Sequence, residues 1–251
     1  MHVRLAGFWL QKRGNLPAEY EDAFAPECRV ETEAWRLRTA VADGATETSF
    51  SGLWARELVT AYAKGRLEDG RLCSGLHAAR RRWRHAIPNR PLPWYAAEKL
   101  RQGAYATVVG LTVMHDLQHQ GGGWAAIAAG DSCLFHLRAG RLVRAFPLQN
   151  VDQFSSRPAL LASLPGPASS GPALAASAAG SWRSGDSFLL ATDAVAEWLL
   201  REGRRAWGEL LEVLEPADFA GLMEHRRQAG TLRNDDCTVV RLDVSTRGRP
   251  Q

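Results

Sequence analysis

What this 251-residue chain lacks narrows the reading before any motif is considered. It has four cysteines, Cys28, Cys73, Cys133 and Cys237, far apart and without a CxxC pair. That spacing gives neither a disulfide framework nor a zinc site, and it suits buried free thiols in a reducing compartment. No stretch approaches the roughly 20 apolar residues that a membrane-spanning helix needs. The apolar run at 5–10 is too short for the core of a secretion signal, and no small-residue cleavage site follows it. The expectation is a soluble, cytoplasmic protein with no membrane partner. The seven histidines include no HExxH pair, so no histidine-based metalloenzyme motif can be read from them. There is no internal repeat.

What the chain has is ordinary globular material: 45% hydrophobic and 23% charged residues, with nine tryptophans and eight phenylalanines to fill a core. Its length suits one large domain, and we expect 1–251 to be a single unit. Net charge is +4, and the densest cationic run is Arg80-Arg81-Arg82-Trp83-Arg84-His85. Such a run can grip nucleic acid or form the solvated face of a helix. No nucleic-acid motif accompanies it, so we read a helix face and expect no nucleic-acid partner.

Hydrophobic periodicity divides the chain into strands and helices. Residues 29–42 alternate as a half-buried strand, with Trp35, Leu37, Thr39 and Val41 on one face, ending at Asp43-Gly44. From Ser51 the period changes to three and four, which predicts an amphipathic helix capped by Thr48, Ser49 or Ser51. Helical pieces at 74–103 are broken by the proline-rich 87–93. Strands are predicted at 105–114, 124–129, 133–137 and 141–146, joined by short turns that favour antiparallel pairing. The Ala, Ser, Pro and Gly of 158–180 read as an internal surface loop. A strand at 187–192 then leads into three helices, at 195–201, 205–214 and 216–229, and a last strand at 237–244. Strand runs interrupted by helix runs, without a regular βαβ beat, indicate an α+β fold.

Acidic residues recur where these strands end: Glu21 and Asp22 in EYEDAF, Asp43 in TAVADG, Asp193 in FLLATDA and Asp235 in NDDCTVV. Carboxylates at the ends of core strands cost stability by desolvation and repulsion unless a cation holds them. Several of them, drawn from distant segments, suggest a cage for hard divalent ions. Each also has a plainer reading. Asp43-Gly44 is a common turn dipeptide, Glu21-Asp22 could be solvated loop acids, and Asp193 could be a helix N-cap with Glu197 one turn along. Gly130-Asp131-Ser132 could be a bulge or a ligand corner.

Taken in order, EDAF at 21–24, VADG at 41–44, ATVVGL at 106–111, AAGDSCLFHLRAGRL at 128–142, LLATDAVAEW at 189–198 and NDDCTVVRLDV at 234–244 resemble the metal-dependent protein phosphatases of the type 2C (PPM) family, most closely its compact bacterial members. The resemblance implies a four-layer α-β-β-α sandwich of two mainly antiparallel sheets flanked by helices. It also implies hydrolysis of phosphoserine and phosphothreonine esters by a water held between two Mn²⁺ or Mg²⁺ ions. By that resemblance Asp43 bridges two metals, Asp193 and Asp235 complete one site, and Glu21 and the Gly44 carbonyl serve the other. Asp22 holds metal-bound water, and Asp131 with Asp193 and Glu197 matches a third, weaker site. Arg13 stands as the phosphate-binding arginine, at a longer spacing from Glu21 than the family's usual one. The implied partner is a phosphorylated protein, such as a serine/threonine kinase or its substrate.

The chain departs from the family pattern at Asp43-Gly44-Ala45-Thr46-Glu47, where the later glycines are missing and Ala45 stands where some members carry a histidine. Ala194 replaces the glycine usual after the third aspartate. These changes reshape the entrance and spare the ligand carboxylates. They also motivate an alternative, a catalytically weak or inactive module that binds phosphorylated partners.

Overall fold

The computed structural model describes residues 1–251 except 46–49, 69, 88–93, 117–120, 156–157, 167–173 and 247–251, with the backbone alone at 94–97. Two antiparallel sheets form its centre. The first contains β1 (His2–Leu10), β3 (Val30–Glu33), β8 (Cys133–Arg138), β9 (Arg141–Phe146), β12 (Asp186–Ala191) and β13 (Cys237–Ser245), in the order β3-β1-β13-β12-β8-β9. The second contains β2 (Ala23–Ala25), β4 (Arg36–Ala42), β6 (Val108–Asp116), β7 (Gly121–Ala129) and β11 (Ala176–Arg183), in the order β11-β7-β6-β4-β2. A short pair, β5 (Tyr105–Ala106) with β10 (Leu161–Ala162), lies beside them.

The continuous apolar runs of the central strands follow from burial on both faces. On β12, Phe188 and Leu190 point between the sheets, while Leu189 and Ala191 point to the helices. On β13, Val240, Leu242 and Val244 join the inter-sheet core, and Cys237 and Val239 face outward into the helical layer. That layer is α4 (Asp193–Glu202), α5 (Arg204–Glu212) and α6 (Pro216–Gln228), which bring Trp198, Trp207 and Phe219 onto the first sheet. Against the second sheet lie α1 (Ser51–Ala63) and α2 (Leu72–Ala86), with Trp54, Leu58, Tyr62 and Trp83 packed on Ala40, Ala42 and Ile127. A further helix, α3 (Trp94–Gln102), follows α2. The architecture is the expected α-β-β-α sandwich.

Several local expectations change. The strand read at 29–42 is two strands: β3 pairs with β1 in the first sheet, and β4 pairs with β6 in the second. The chain crosses between sheets at Ala34-Trp35. There the Ala34 amide donates to the Met1 carbonyl (3.0 Å), and the Trp35 carbonyl accepts from His115 (2.8 Å). Trp35, placed by alternation on the buried face, is 69% exposed, because neither sheet covers the corner. Residues 2–10, read only at 5–10 and as a short apolar run, form a strand paired with β13 from His2–Ser245 to Leu10–Cys237. The loop read at 158–180 contains β10 and the first part of the edge strand β11, whose small residues carry little strand signal.

The N-cap of α1 is Phe50 in the left-handed region (φ 64°), and Ser51 spends its hydroxyl elsewhere. Thr48 and Ser49 lie outside the described residues. In the arginine run, Trp83 is buried and Arg80 nearly so, with Arg80 Nε donating to the Ala162 carbonyl at 3.1 Å. Arg82 pairs with Glu57. The run is therefore an amphipathic helix segment, with Arg81, Arg84 and His85 exposed as expected and Arg80 and Trp83 packed inward. Cys133 and Cys237 are buried, whereas Cys28 and Cys73 are exposed.

Candidate metal centre

The acids lie at strand ends from both sheets. Asp43 follows β4, Asp22 precedes β2, Asp131 sits in the turn between β7 and β8, and Asp193 begins α4 directly after β12. Asp235 lies just before β13. Asp43, Asp131 and Asp193 each present a carboxylate oxygen within 4.8 Å of the others. Burial raises the Asp43 pKa well above the ordinary carboxylate range, and the charges of Asp22, Asp193, Asp131 and Asp235 raise it further. The other four aspartates therefore all act on Asp43.

Local chemistry fixes each of them. The Asp43 amide donates to Thr107 Oγ1 at 3.2 Å, and the Thr107 amide donates back to the Asp43 carbonyl at 2.9 Å. Gly44 is required by close approach, since a Cβ there would lie 2.7 Å from the Ser51 carbonyl carbon and 2.8 Å from the Glu21 carbonyl oxygen. Gly130 takes φ +89° to turn the chain into Asp131. Asp22 is 4% exposed, and its Oδ2 accepts from Thr192 Oγ1 (2.9 Å) and Thr238 Oγ1 (2.6 Å). The Thr238 amide in turn donates to Thr192 Oγ1 at 3.1 Å, and Tyr20 adds its hydroxyl to Thr238. Burial is the main reason the Asp22 pKa is raised, with Asp236 and Asp193 adding repulsion against those hydroxyl bonds.

Asp131 is 6% exposed, and its Oδ1 is buried without a hydrogen-bond partner. Its pKa is pushed up to about 7 by burial and then by Asp193. An unpartnered buried carboxylate oxygen costs free energy, whereas a hard cation would turn it into a ligand. An all-oxygen donor set with no thiol or imidazole suits Mn²⁺ or Mg²⁺. The residues present fit such an ion.

No family model matches the sequence, and no curated protein matches it. Among solved structures, one neighbour is PppA, described as a key regulatory component of T6SS in Pseudomonas aeruginosa. It is 18% identical with a TM-score of 0.61, over 97% of this chain and 98% of that one. Another is the PPM Ser-Thr phosphatase MsPP from Mycobacterium smegmatis in complex with cacodylate, 16% identical with a TM-score of 0.51, over 96% and 98% of the two chains. A third is the catalytic domain of the serine threonine protein phosphatase PstP in complex with 2 manganese ions, 20% identical with a TM-score of 0.54, over 97% and 100%. The fold is that of the PPM serine/threonine phosphatases.

Within this PPM fold Glu21, Glu197 and Arg13 each have further side-chain or backbone partners. Glu21 accepts the Ser51 hydroxyl, and its own amide donates to Asp236 Oδ2 at 2.8 Å. Glu197 lies one turn along α4 and pairs with Arg201 and Arg233. Arg13 is not brought to the carboxylates by its guanidinium, which is taken up by Glu224 on α6, and its amide donates to Asn234 Oδ1 at 2.8 Å. The guanidinium that does reach the acids is Arg233, paired with Asp193 and lying 3.7 Å from Glu197 and 3.5 Å from Asp235.

The sequence reading missed this arginine. It also missed Thr192 and Thr238, which position the acids, as Asp236 does. Asp236 takes the Lys12 amide on Oδ1 (2.7 Å) and the Glu21 amide on Oδ2, tying the segment after β1 to the start of β13. Two threonines at the inner ends of adjacent apolar strands were the available signal.

Proposed function

We propose that the chain is a metal-dependent phosphoserine/phosphothreonine protein phosphatase. The observation that carries this reading is the convergence of Asp43, Asp131 and Asp193, with one Asp131 oxygen buried and unpartnered. In this reading Asp43, Asp193, Asp235, Glu21 and the Gly44 carbonyl would hold two ions. Asp131 with Asp193 and Glu197 would hold a third ion. Bound Mn²⁺ or Mg²⁺ would supply the positive charge that acidifies a water and screens the phosphate oxygens. The two manganese ions of the PstP domain favour Mn²⁺ for the first assay.

The chain's own residues set the rest. Thr192 and Thr238 hold Asp22 Oδ2, which leaves its Oδ1 to accept a hydrogen from a water and orient it. Burial pushes the thiols of Cys133 and Cys237 up to about 12, so neither is suited to act as a nucleophile, in keeping with attack by water. Because a phosphoryl transition state asks mainly for charge stabilisation and alignment, fixed carboxylates that position cations suffice.

The test is hydrolysis of an aryl phosphate and of a phosphothreonine peptide in Mn²⁺. We expect turnover that chelator abolishes, and a loss of roughly a thousandfold or more in Asp43→Asn. A folded wild-type protein that is inert with both substrates in Mn²⁺ and Mg²⁺ would refute the proposal. If it bound the phosphopeptide without turnover, it would be a phosphoprotein-binding module instead.

A further inference from the structure

Arg233 sits against three carboxylates that the proposed function assigns to metal. Its three guanidinium nitrogens face three different acids: Nη2 is on Asp193 Oδ2, Nη1 lies 3.7 Å from Glu197 Oε2, and Nε lies 3.5 Å from Asp235 Oδ2. A planar fork of donors can do this, and an ammonium on a single point cannot do it as well. Among the described residues no other cation is ion-paired with Asp193 or Asp235.

The acids divide into an inner set and an outer set. Asp22, Asp43 and Asp131 have no ion-paired cation among the described residues, and Asp131 Oδ1 has no partner at all. Asp193, Glu197 and Asp235 share Arg233. Asp193 links the two sets, since it also presents an oxygen within 4.8 Å of those of Asp43 and Asp131, and both of its oxygens accept a hydrogen bond: Oδ1 from the Ala194 amide at 2.5 Å and Oδ2 from Arg233. A cation brought to Asp193 Oδ2 would therefore meet the positive charge of the guanidinium and compete with it for that oxygen.

The backbone around Arg233 is pinned while its side chain has a way out. Leu232 is buried, the Asn234 side chain exchanges two hydrogen bonds with the Arg13 backbone, and Arg227 Nη2 holds the Asp235 carbonyl at 2.6 Å. The Arg233 side chain is 42% exposed, so its guanidinium can move into water by rotation about its own bonds.

We infer that Arg233 is a built-in counter-ion, which offsets part of the charge of the outer carboxylates in the metal-free protein and competes with divalent cations for them. This rests on reading the acids as a metal centre. The arrangement keeps the outer acids from repelling one another before metal arrives, and it weakens binding at the outer side relative to the inner side. Arg233 thus sets the metal concentration at which the outer side fills.

Mn²⁺ titration by calorimetry on the wild type, Arg233→Gln and Arg233→Lys tests this without any activity measurement. For Arg233→Gln we expect the weaker class of Mn²⁺ sites to tighten by about tenfold or more, as expected when several partly exposed ion pairs no longer have to be broken. Arg233→Lys should fall between the two. In chelator, Arg233→Gln should melt below the wild type, and saturating Mn²⁺ should close the gap. Equal or weaker Mn²⁺ binding by Arg233→Gln overturns the inference and leaves the metal centre standing. Absence of Mn²⁺ binding by all three proteins removes the metal centre and the inference with it. Should Arg233→Gln fail to fold in chelator, Arg233→Lys carries the comparison, and Mn²⁺ binding no tighter than wild type overturns the inference.

Discussion

Replacing Asp131 by Asn should stabilise the metal-free protein and weaken its response to metal. In the folded chain the Asp131 pKa is pushed from its ordinary 3.8 to about 7. A carboxyl whose folded pKa lies above its unfolded value holds its proton more tightly in the fold. Between those two values the folded state therefore binds more protons, and stability falls as pH rises. The difference of about 3 pKa units corresponds to a charge penalty on the order of 4 kcal/mol at pH 8, falling to about 2 kcal/mol at pH 5. Asn has nearly the same shape without the charge. In chelator at pH 8, Asp131→Asn should therefore raise Tm by roughly 8 to 15 °C for a chain of this size, and by about half as much at pH 5. Mn²⁺ should reverse the order, because the variant lacks a ligand oxygen that the wild type offers. Thermal melts at both pH values, with chelator and then with millimolar Mn²⁺, give all the numbers. A variant that melts at or below the wild type in chelator at pH 8 would refute the reasoning, since the Asp131 charge would then have to be compensated within the metal-free fold.

Two other perturbations address the fold around the centre. Gly44→Ala places a Cβ within 3 Å of backbone atoms of Glu21, Ser51 and Gly52, so it should cost about 1–3 kcal/mol in urea melts and weaken Mn²⁺ binding; an unchanged midpoint would count against the close packing. Asp186, 1% exposed, accepts from Arg138 twice, from the Arg183 amide and from His136, each at 2.8 Å, and Asp186→Asn should cost about 3–5 kcal/mol at pH 7.5. Burial would raise the Asp186 pKa, but these bonds bring it down, while burial holds His136 below its ordinary value. Both shifts give the same sign. Wild-type stability should decline as pH falls below about 6.5, where the unfolded histidine takes a proton, and further through the acid range as Asp186 is protonated. Asp186→Asn should flatten the acid limb, and an unaltered pH profile would refute this account.

The layered fold was legible because its strands report burial directly. The apolar runs of β12 and β13 carry side chains into two different cores, and the three-and-four spacing of α1 shows its one packed face. β1 was harder to see, since exposed and buried positions mix along it and its strand character comes from nine pairings with β13, more than 225 residues away in sequence at its N-terminal end. The bend at Trp35 was invisible because alternation continues across it: local pattern records which way side chains point, and not which sheet receives them. At the centre, the aspartates could be found because strand-terminal carboxylates are costly. Arg233 could not, because an arginine in a polar loop is usually solvated, and only the folded chain shows three acids around it. Arg13 is the opposite case, a basic residue singled out from the sequence whose guanidinium pairs with Glu224.

The bonds from Thr192 and Thr238 to Asp22 have a consequence for how the chain acquires its centre. Asp22 precedes a strand of the second sheet, while the two threonines lie at the ends of adjacent strands of the first. The partners are 170 and 216 residues apart, so during synthesis Asp22 waits for almost the whole chain before its hydroxyl donors exist. A nascent chain stopped short of β13 could form most of the second sheet and would still lack a finished centre. On the proposed reading, acquisition of metal should therefore come late and mark completion of the sandwich, and an intermediate with only one sheet formed would bind it poorly.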